Sequence, residues 1–78
     1  MDTPGADFSS TAIEILVNGE PYPATPGASA LDVVAALGLA GRPLAVEVNE
    51  EVVPRARLAA CMLKAGDRVE IVTLVGGG

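Results

Sequence analysis

Residues 68–78 read RVEIVTLVGGG, an apolar, strand-like run that passes directly into three glycines at the end of the chain. At ordinary glycine usage of about 7%, three such glycines occur by chance roughly once in 3,000 chains. Glycine has no Cβ, so a glycine tail can pass extended through a channel too narrow for side chains and deliver its carboxylate alone. The stretch predicts a strand over 68–75 and a flexible tail at Gly76, Gly77 and Gly78. A functionless frayed end or an expression scar is the alternative.

The segment ahead of the first predicted turn indicates a β-hairpin. Apolar residues alternate over 13–17, which is typical of a half-buried strand, and the Asn-Gly pair at 18–19 favours a tight turn. A second strand over 20–25 is expected to pair back on the first. Its two prolines lack the N–H that a ladder needs, so this strand is predicted to lie at a sheet edge.

One helix is predicted after the hairpin. Ser29 and Asp32 have the spacing of a helix start, with the hydroxyl accepting from a free amide and the carboxylate in the first turn. Gly38 favours the left-handed conformation that ends a helix, so the helix is placed at 30–37. Its apolar face is predicted to comprise Leu31, Val34, Ala35 and Gly38.

The second half of the chain predicts further strands. Alternation over 44–48 indicates a third strand, which turns at 49–51 into a short fourth at 52–53. Residues 55–63 suit either a short helix or a 3₁₀ turn, and 64–67 form the turn into the last strand. This order favours an α+β roll, a mixed sheet with one main helix packed on one face. The division is a disordered leader at 1–10, a folded domain at 11–75 and the tail at 76–78.

Composition excludes several classes of function. The 78 residues hold one cysteine and no histidine, so neither a disulfide framework nor a His/Cys zinc site can form, and no metal site is predicted. A net charge of −5 disfavours nucleic acid and favours a basic protein partner. No apolar run reaches the ~20 residues of a membrane span, and residues 1–10 lack a secretory signal. We therefore expect a cytoplasmic protein with no membrane partner.

Two further features have a chemical and a structural interpretation. Cys61 could relay sulfur, but it lies among apolar residues with only Lys64 as a nearby cation, so a packed thiol is favoured and no role is assigned. The open face of the sheet is predicted to carry an apolar patch beside the tail, formed by Leu16, Val72 and Leu74 and bordered by acids including Glu70. Such a patch is typical of a partner-binding site, although partial cover at the sheet end is the alternative.

Three stretches resemble a known family. Residues 66–78, GDRVEIVTLVGGG, look very like the end of the thiamin-biosynthesis sulfur carriers, the ThiS family, whose fold is the ubiquitin-like β-grasp. VNGE at 17–20 and VPR at 53–55 are similar to that family at the matching places. The resemblance covers about residues 12–78. Residues 56–62 depart from it, since a more polar helix start and an aromatic residue are expected there.

The resemblance implies a protein cosubstrate, not an enzyme. A carboxylate must be activated before it can accept sulfur, and in the family an E1-like, ThiF-type adenylyltransferase uses MgATP to adenylate the terminal glycine. A sulfur-relay protein then supplies persulfide sulfur, and the resulting thiocarboxylate donates it to a ThiG-type thiazole synthase. Carried onto this chain, Gly78 bears the sulfur and Gly76 and Gly77 give access. The chain itself is expected to bind no cofactor.

Other functions stay open at the level of sequence. A related carrier for molybdopterin or cysteine synthesis, or a ubiquitin-like modifier joined to lysine, would use the same activation chemistry with a different acceptor. A passive β-grasp binding module would not need the last two glycines. The approach sequence at 69–75 leans toward thiazole synthesis.

Overall fold

The computed structural model describes residues 12–74 and shows a five-stranded mixed sheet with one α-helix. The elements in chain order are β1 (Ile13–Val17), β2 (Glu20–Ala24), α1 (Ala30–Ala36), β3 (Leu44–Val48), β4 (Glu51–Val53), a 3₁₀ helix (Arg55–Ala60) and β5 (Arg68–Thr73). The strand order is β2-β1-β5-β3-β4, in which β1 and β5 are parallel and the other neighbours are antiparallel. The predicted α+β class is confirmed. The predicted leader at 1–10 and tail at 76–78 lie outside the described residues.

Both hairpins turn through two residues in the left-handed region. Asn18 and Gly19 have φ of 50° and 86°, and Asn49 and Glu50 have φ of 52° and 72°. Positive φ at both central positions matches the right-handed twist of the flanking strands. The second turn is one residue shorter than predicted, because Glu51 already pairs with Val48 as the first residue of β4.

The prolines of β2 remove hydrogen-bond donors from an edge of the sheet. Pro21 pairs with Leu16 and Pro23 with Glu14. Counted from the closely bonded pair that flanks the two-residue turn, Val17 and Glu20, these are the first and third positions, where the two residues of a pair do not exchange hydrogen bonds. At these alternate positions the N–H would point away from β1, toward solvent. Proline has no N–H, so the edge presents no donor there to another strand. The predicted edge position of this strand is confirmed.

Helix α1 begins with a reciprocal cap. The Ser29 Oγ accepts from the Asp32 N–H at 3.1 Å, and the Asp32 Oδ2 accepts from the Ser29 N–H at 2.9 Å. Two amides that the helix leaves without partners are thereby satisfied. The helix ends at Ala36, one residue earlier than predicted, and Gly38 follows with φ of 77°.

The predicted apolar face of the helix was correct only at Val34, which is buried, and wrong at the other three residues. The residues that face the sheet are Ala30, Val33 and Val34, whereas Leu31, Ala35 and Gly38 are exposed. All residues of α1 except Asp32 are apolar, so hydrophobic periodicity could not select one face. Ser29, immediately before the helix, forms an isolated β-bridge with Met62, which connects the start of the helix to the segment after the 3₁₀ helix.

The core lies between the sheet and the layer formed by α1 and the 3₁₀ helix. Ile15, Val69 and Ile71 are buried on the helix side of the sheet, and Ile13 and Val17 are partly buried beside them. The segment that sequence left undecided contains a 3₁₀ helix, whose buried residue is Leu58. The fully buried centre consists of Ile15, Val34, Val46, Leu58 and Val69.

Candidate functional site

The described chain leads toward the glycine tail through the central strand of the sheet. β5 has β1 on one side and β3 on the other, and its last residue Thr73 pairs with Leu44. Beyond the strand, the Leu74 N–H donates to the Pro43 carbonyl oxygen at 2.9 Å. The strand is therefore two residues shorter than the predicted 68–75, and Val75 lies outside the described residues. Gly76, Gly77 and Gly78 also lie outside, so the role of Gly78 stays a prediction.

On the β1 side, an asparagine side chain holds β5 where β1 has already turned away. The last backbone bond between the two strands runs from the Asn18 N–H to the Val69 carbonyl oxygen at 2.8 Å. The Ile71 N–H then donates to Asn18 Oδ1 at 2.7 Å, and Asn18 Nδ2 donates to the Ile71 carbonyl oxygen at 3.2 Å. Sequence reasoning gave Asn18 only a turn role, because nothing local indicates a partner 53 residues away.

Asn49, in the turn of the other hairpin, makes similar hydrogen bonds to the start of β5. The Asn49 N–H donates to the Arg68 carbonyl oxygen at 2.7 Å, and the Arg68 N–H donates to Asn49 Oδ1 at 3.0 Å. Asn49 Nδ2 donates to Asp67 Oδ1 at 3.0 Å, while Asp67 Oδ2 accepts from the Lys64 N–H at 2.7 Å. The two turn asparagines thus bind β5 at its first residue and near its last.

The residues predicted as a partner-binding patch are only partly brought together. Val72 and Leu74 are 57% and 52% exposed and follow Glu70 at alternate positions toward the tail. Leu16 is half-buried and pairs with Arg68, four residues before Val72, which places it about 13 Å away along the strand. Strand alternation predicts the face but not the register, which explains why Leu16 was grouped with the tail end.

The open face carries more acid than sequence reasoning assigned to it. Glu47 pairs directly with Glu70, and the two carboxylates line a shallow concave surface with Glu50, Ala45 and Val72. The Arg68 Nη2 lies 3.8 Å from the Glu50 Oε2, but both side chains are largely exposed, so this ion pair contributes little.

One exposed apolar residue on this face was missed. Val52 is 68% exposed and pairs with Glu47 across β3 and β4, so it lies on the same face. The predicted strand 52–53 was too short to show any alternation, so its faces could not be assigned from sequence.

The other candidate chemistry has a packing role where the structure describes it. Cys61 is half-buried against the core and borders a groove with Arg57, Met62 and Lys64. Between residues 12 and 74, no three histidine, cysteine or acidic side chains cluster in a way that could hold a metal ion. Nor does that part of the chain contain a helix long and apolar enough to cross a membrane.

Comparison with known proteins gives two kinds of relative. The chain is 38% identical over 66 residues to a thiazole synthase of Magnetococcus marinus, and 33% identical over 66 residues to that of Paramagnetospirillum magneticum. Each match covers 85% of this chain but only 20% of the synthase, so the chain spans about a fifth of the length of these relatives. An uncharacterized protein, ycf40 of Porphyra purpurea, is 32% identical over 85% of this chain and 93% of its own length.

A solved structure and a family model agree with each other. The crystal structure of the thiamine biosynthesis protein ThiS from Geobacter metallireducens superposes with a TM-score of 0.72 at 32% identity, covering 85% of this chain and all of that one. The model of the ThiS family matches residues 15–78, which include β5 and the three glycines. The chain therefore belongs to the ThiS family and has the β-grasp fold.

Proposed function

We propose that this chain is a sulfur carrier that works through the carboxylate of Gly78, which an E1-like adenylyltransferase activates with MgATP. The carboxylate attacks the α-phosphorus of ATP and releases pyrophosphate. The terminal sulfur of a persulfide on a sulfur-relay protein then displaces AMP and forms an acyl disulfide, and a thiol cleaves the S–S bond of that acyl disulfide, becoming oxidised to a disulfide. The product is a thiocarboxylate at Gly78. The observation that supports this most directly is the extension of the family match beyond the central strand β5, which ends at Thr73, through residue 78.

The sulfur acceptor that we propose is a thiazole synthase. Support comes from the two relatives of that name, in which a segment similar to this chain makes up 20% of the protein. The chain acts as a cosubstrate and performs no catalysis of its own, and ATP and magnesium belong to the activating partner. The same chemistry would serve molybdopterin or cysteine synthesis, or conjugation to lysine, whereas the two relatives that support the proposal are thiazole synthases.

Docking of the activating enzyme is proposed at the tail end of the open face. Val72 and Leu74 offer exposed apolar area next to Glu70, and Leu16 extends the same face toward the far end of the sheet. Exposed apolar area bordered by charge is typical of a protein-binding surface. Acidic side chains on this face suit a basic partner surface.

Intact-protein mass spectrometry tests the proposal. The chain is incubated with a ThiF-type enzyme, MgATP, a persulfide source and excess thiol as reductant, and we expect a gain of about 16 Da for replacement of oxygen by sulfur. A Cys61→Ser variant must show the same gain and the same reaction with an alkylating reagent, which excludes modification of the thiol. Addition of thiazole synthase and its other substrates should return the mass to that of the carboxylate. No gain with an enzyme proven active on another carrier would refute the proposal.

A further inference from the structure

The Asn18 side chain occupies the place of a missing backbone group. In a regular parallel ladder, a residue whose N–H bonds to Val69 would accept from the Ile71 N–H with its own carbonyl oxygen. Asn18 has φ of 50° because the chain turns there, and the side-chain Oδ1 accepts that bond at 2.7 Å instead. Its Nδ2 also donates to the Ile71 carbonyl oxygen, so the amide acts as one added peptide unit of β1.

The two hydrogen bonds of the Asn18 side-chain amide support β5 beyond the point where β1 ends. The β3 side of β5 is paired as far as Thr73, and the Leu74 N–H still bonds to Pro43. On the β1 side the backbone pairing ends at Val69. Without the Asn18 amide, the four residues from Ile71 to Leu74 would be held from one side only.

We infer that Asn18 is a positioning residue for sulfur transfer: its amide fixes the end of β5 and so sets the direction in which the glycine tail leaves the domain. The inference rests on the proposed function, since direction matters only if the tail must enter a partner's active site. Reactions that depend on such alignment lose rate when the reacting group is displaced by about 1 Å. Asn18 touches neither the reacting carboxylate nor ATP, and acts through β5.

Asn49 provides a matched control for this inference. It has the same residue type and the same position in a two-residue turn, and its Oδ1 likewise accepts from a β5 N–H. The donor is Arg68, at the opposite end of the strand. Glycine tolerates positive φ, so Asn18→Gly and Asn49→Gly both keep the turn and remove only the side chain. If these amides merely stabilise the fold, the two variants must behave alike.

The test combines amide hydrogen exchange with activation kinetics on the full chain, at a temperature where unfolding experiments show both variants folded. Asn18→Gly removes the hydrogen bond from the Ile71 N–H to Oδ1. The exchange rate of the Ile71 amide should then rise roughly fivefold, because the net stabilisation by one such hydrogen bond is typically of this size. Asn49→Gly should raise exchange at Arg68 instead. In ATP–pyrophosphate exchange with the E1-like enzyme, Asn18→Gly should lower kcat several-fold more than it raises KM, whereas Asn49→Gly should match the unaltered chain.

A second variant at position 18 tests the inference in the event that the Asn18→Gly protein does not fold. Asn18→Asp keeps the acceptor and tolerates the left-handed turn, but replaces the Nδ2 donor by an oxygen facing the Ile71 carbonyl, so it should show the same kcat loss. Equal activation defects in the Asn18 and Asn49 variants, or an unchanged Ile71 exchange rate, would overturn the inference. If the unaltered chain is never adenylated, the proposed function fails and the role of Asn18 in sulfur transfer fails with it. Ile71 exchange then still shows whether Asn18 fixes the strand.

Discussion

Glu47 on β3 and Glu70 on β5 lie directly opposite each other, so two carboxylates face solvent side by side on the open face of the sheet. Like charges at directly opposed positions destabilise an antiparallel pair. An arrangement that costs stability in the isolated domain is consistent with a partner whose basic side chains relieve it. Replacement of Glu70 by lysine therefore tests the effect of this charge on stability and its effect on partner binding separately.

Glu70→Lys should stabilise the domain and slow its docking. A lysine opposite Glu47 replaces repulsion by attraction, and we expect a gain of about 0.2–1 kcal/mol in the free energy of unfolding. Association with the activating enzyme should slow, with a deficit that shrinks as salt screens charge over roughly 10 Å at 0.1 M. Thermal unfolding and surface plasmon resonance measure the two quantities. Glu20→Lys changes the charge equally on the edge strand β2, so an equal loss of on-rate in that variant would argue against a local effect.

Leu74→Ala should weaken docking through the off-rate. The side chain is 52% exposed, so its truncation should change the free energy of unfolding little. In the complex, the same truncation removes apolar contact area from the centre of the proposed interface. Surface plasmon resonance against the activating enzyme should show faster dissociation with a nearly unchanged on-rate. Leu31→Ala, on the helix side of the domain, is the control for loss of an exposed leucine. Unfolding of Leu74→Ala would show that Leu74 belongs to the core.

Gly77→Ala should slow adenylation severely without affecting stability. The new methyl group would meet channel walls that fit bare backbone, and residue 77 follows the last strand residue by four positions. Gly38→Ala is the converse control, because φ of 77° should cost about 1 kcal/mol of stability while adenylation continues. ATP–pyrophosphate exchange and thermal unfolding on both variants make the comparison. Unchanged exchange with Gly77→Ala would mean that the tail need not pass a narrow site.

Leu58→Ala should remove much of the stability of the domain. Leu58 is 1% exposed and carries the packing of the 3₁₀ helix, and truncation of a buried leucine typically costs about 2–5 kcal/mol. A single small core supplies roughly 3–5 kcal/mol, so this variant should be substantially unfolded at 37 °C. Urea unfolding followed by circular dichroism measures the loss, with Leu37→Ala, 38% exposed, as control. Similar midpoints for the two variants would contradict the assignment of Leu58 to the core centre.

The features that sequence predicted correctly are those whose causes lie close together in the chain. The turn at Asn18 and the cap formed by Ser29 and Asp32 each depend on neighbours within a few residues, so local chemistry was sufficient. The edge position of β2 followed from its prolines, because proline cannot donate in any sheet.

What sequence could not predict depends on register between distant strands. The bond from Ile71 to Asn18 and the separation of Leu16 from Val72 both follow from the pairing of Leu16 with Arg68. Hydrophobic alternation is unchanged when a strand slides by two residues, so it contains no information about that pairing. The buried face of α1 could not be predicted either, because nearly every residue of the helix is apolar and the sequence therefore does not distinguish one side from another.

The central position of β5 has a mechanical consequence. A partner that grips the glycine tail pulls along the axis of β5, between a parallel neighbour on one side and an antiparallel neighbour on the other. The hydrogen bonds to both neighbours then bear the load together in shear, whereas an edge strand pulled sideways would lose its bonds one after another. The domain should therefore resist unfolding when a partner pulls on the glycine tail along the axis of β5.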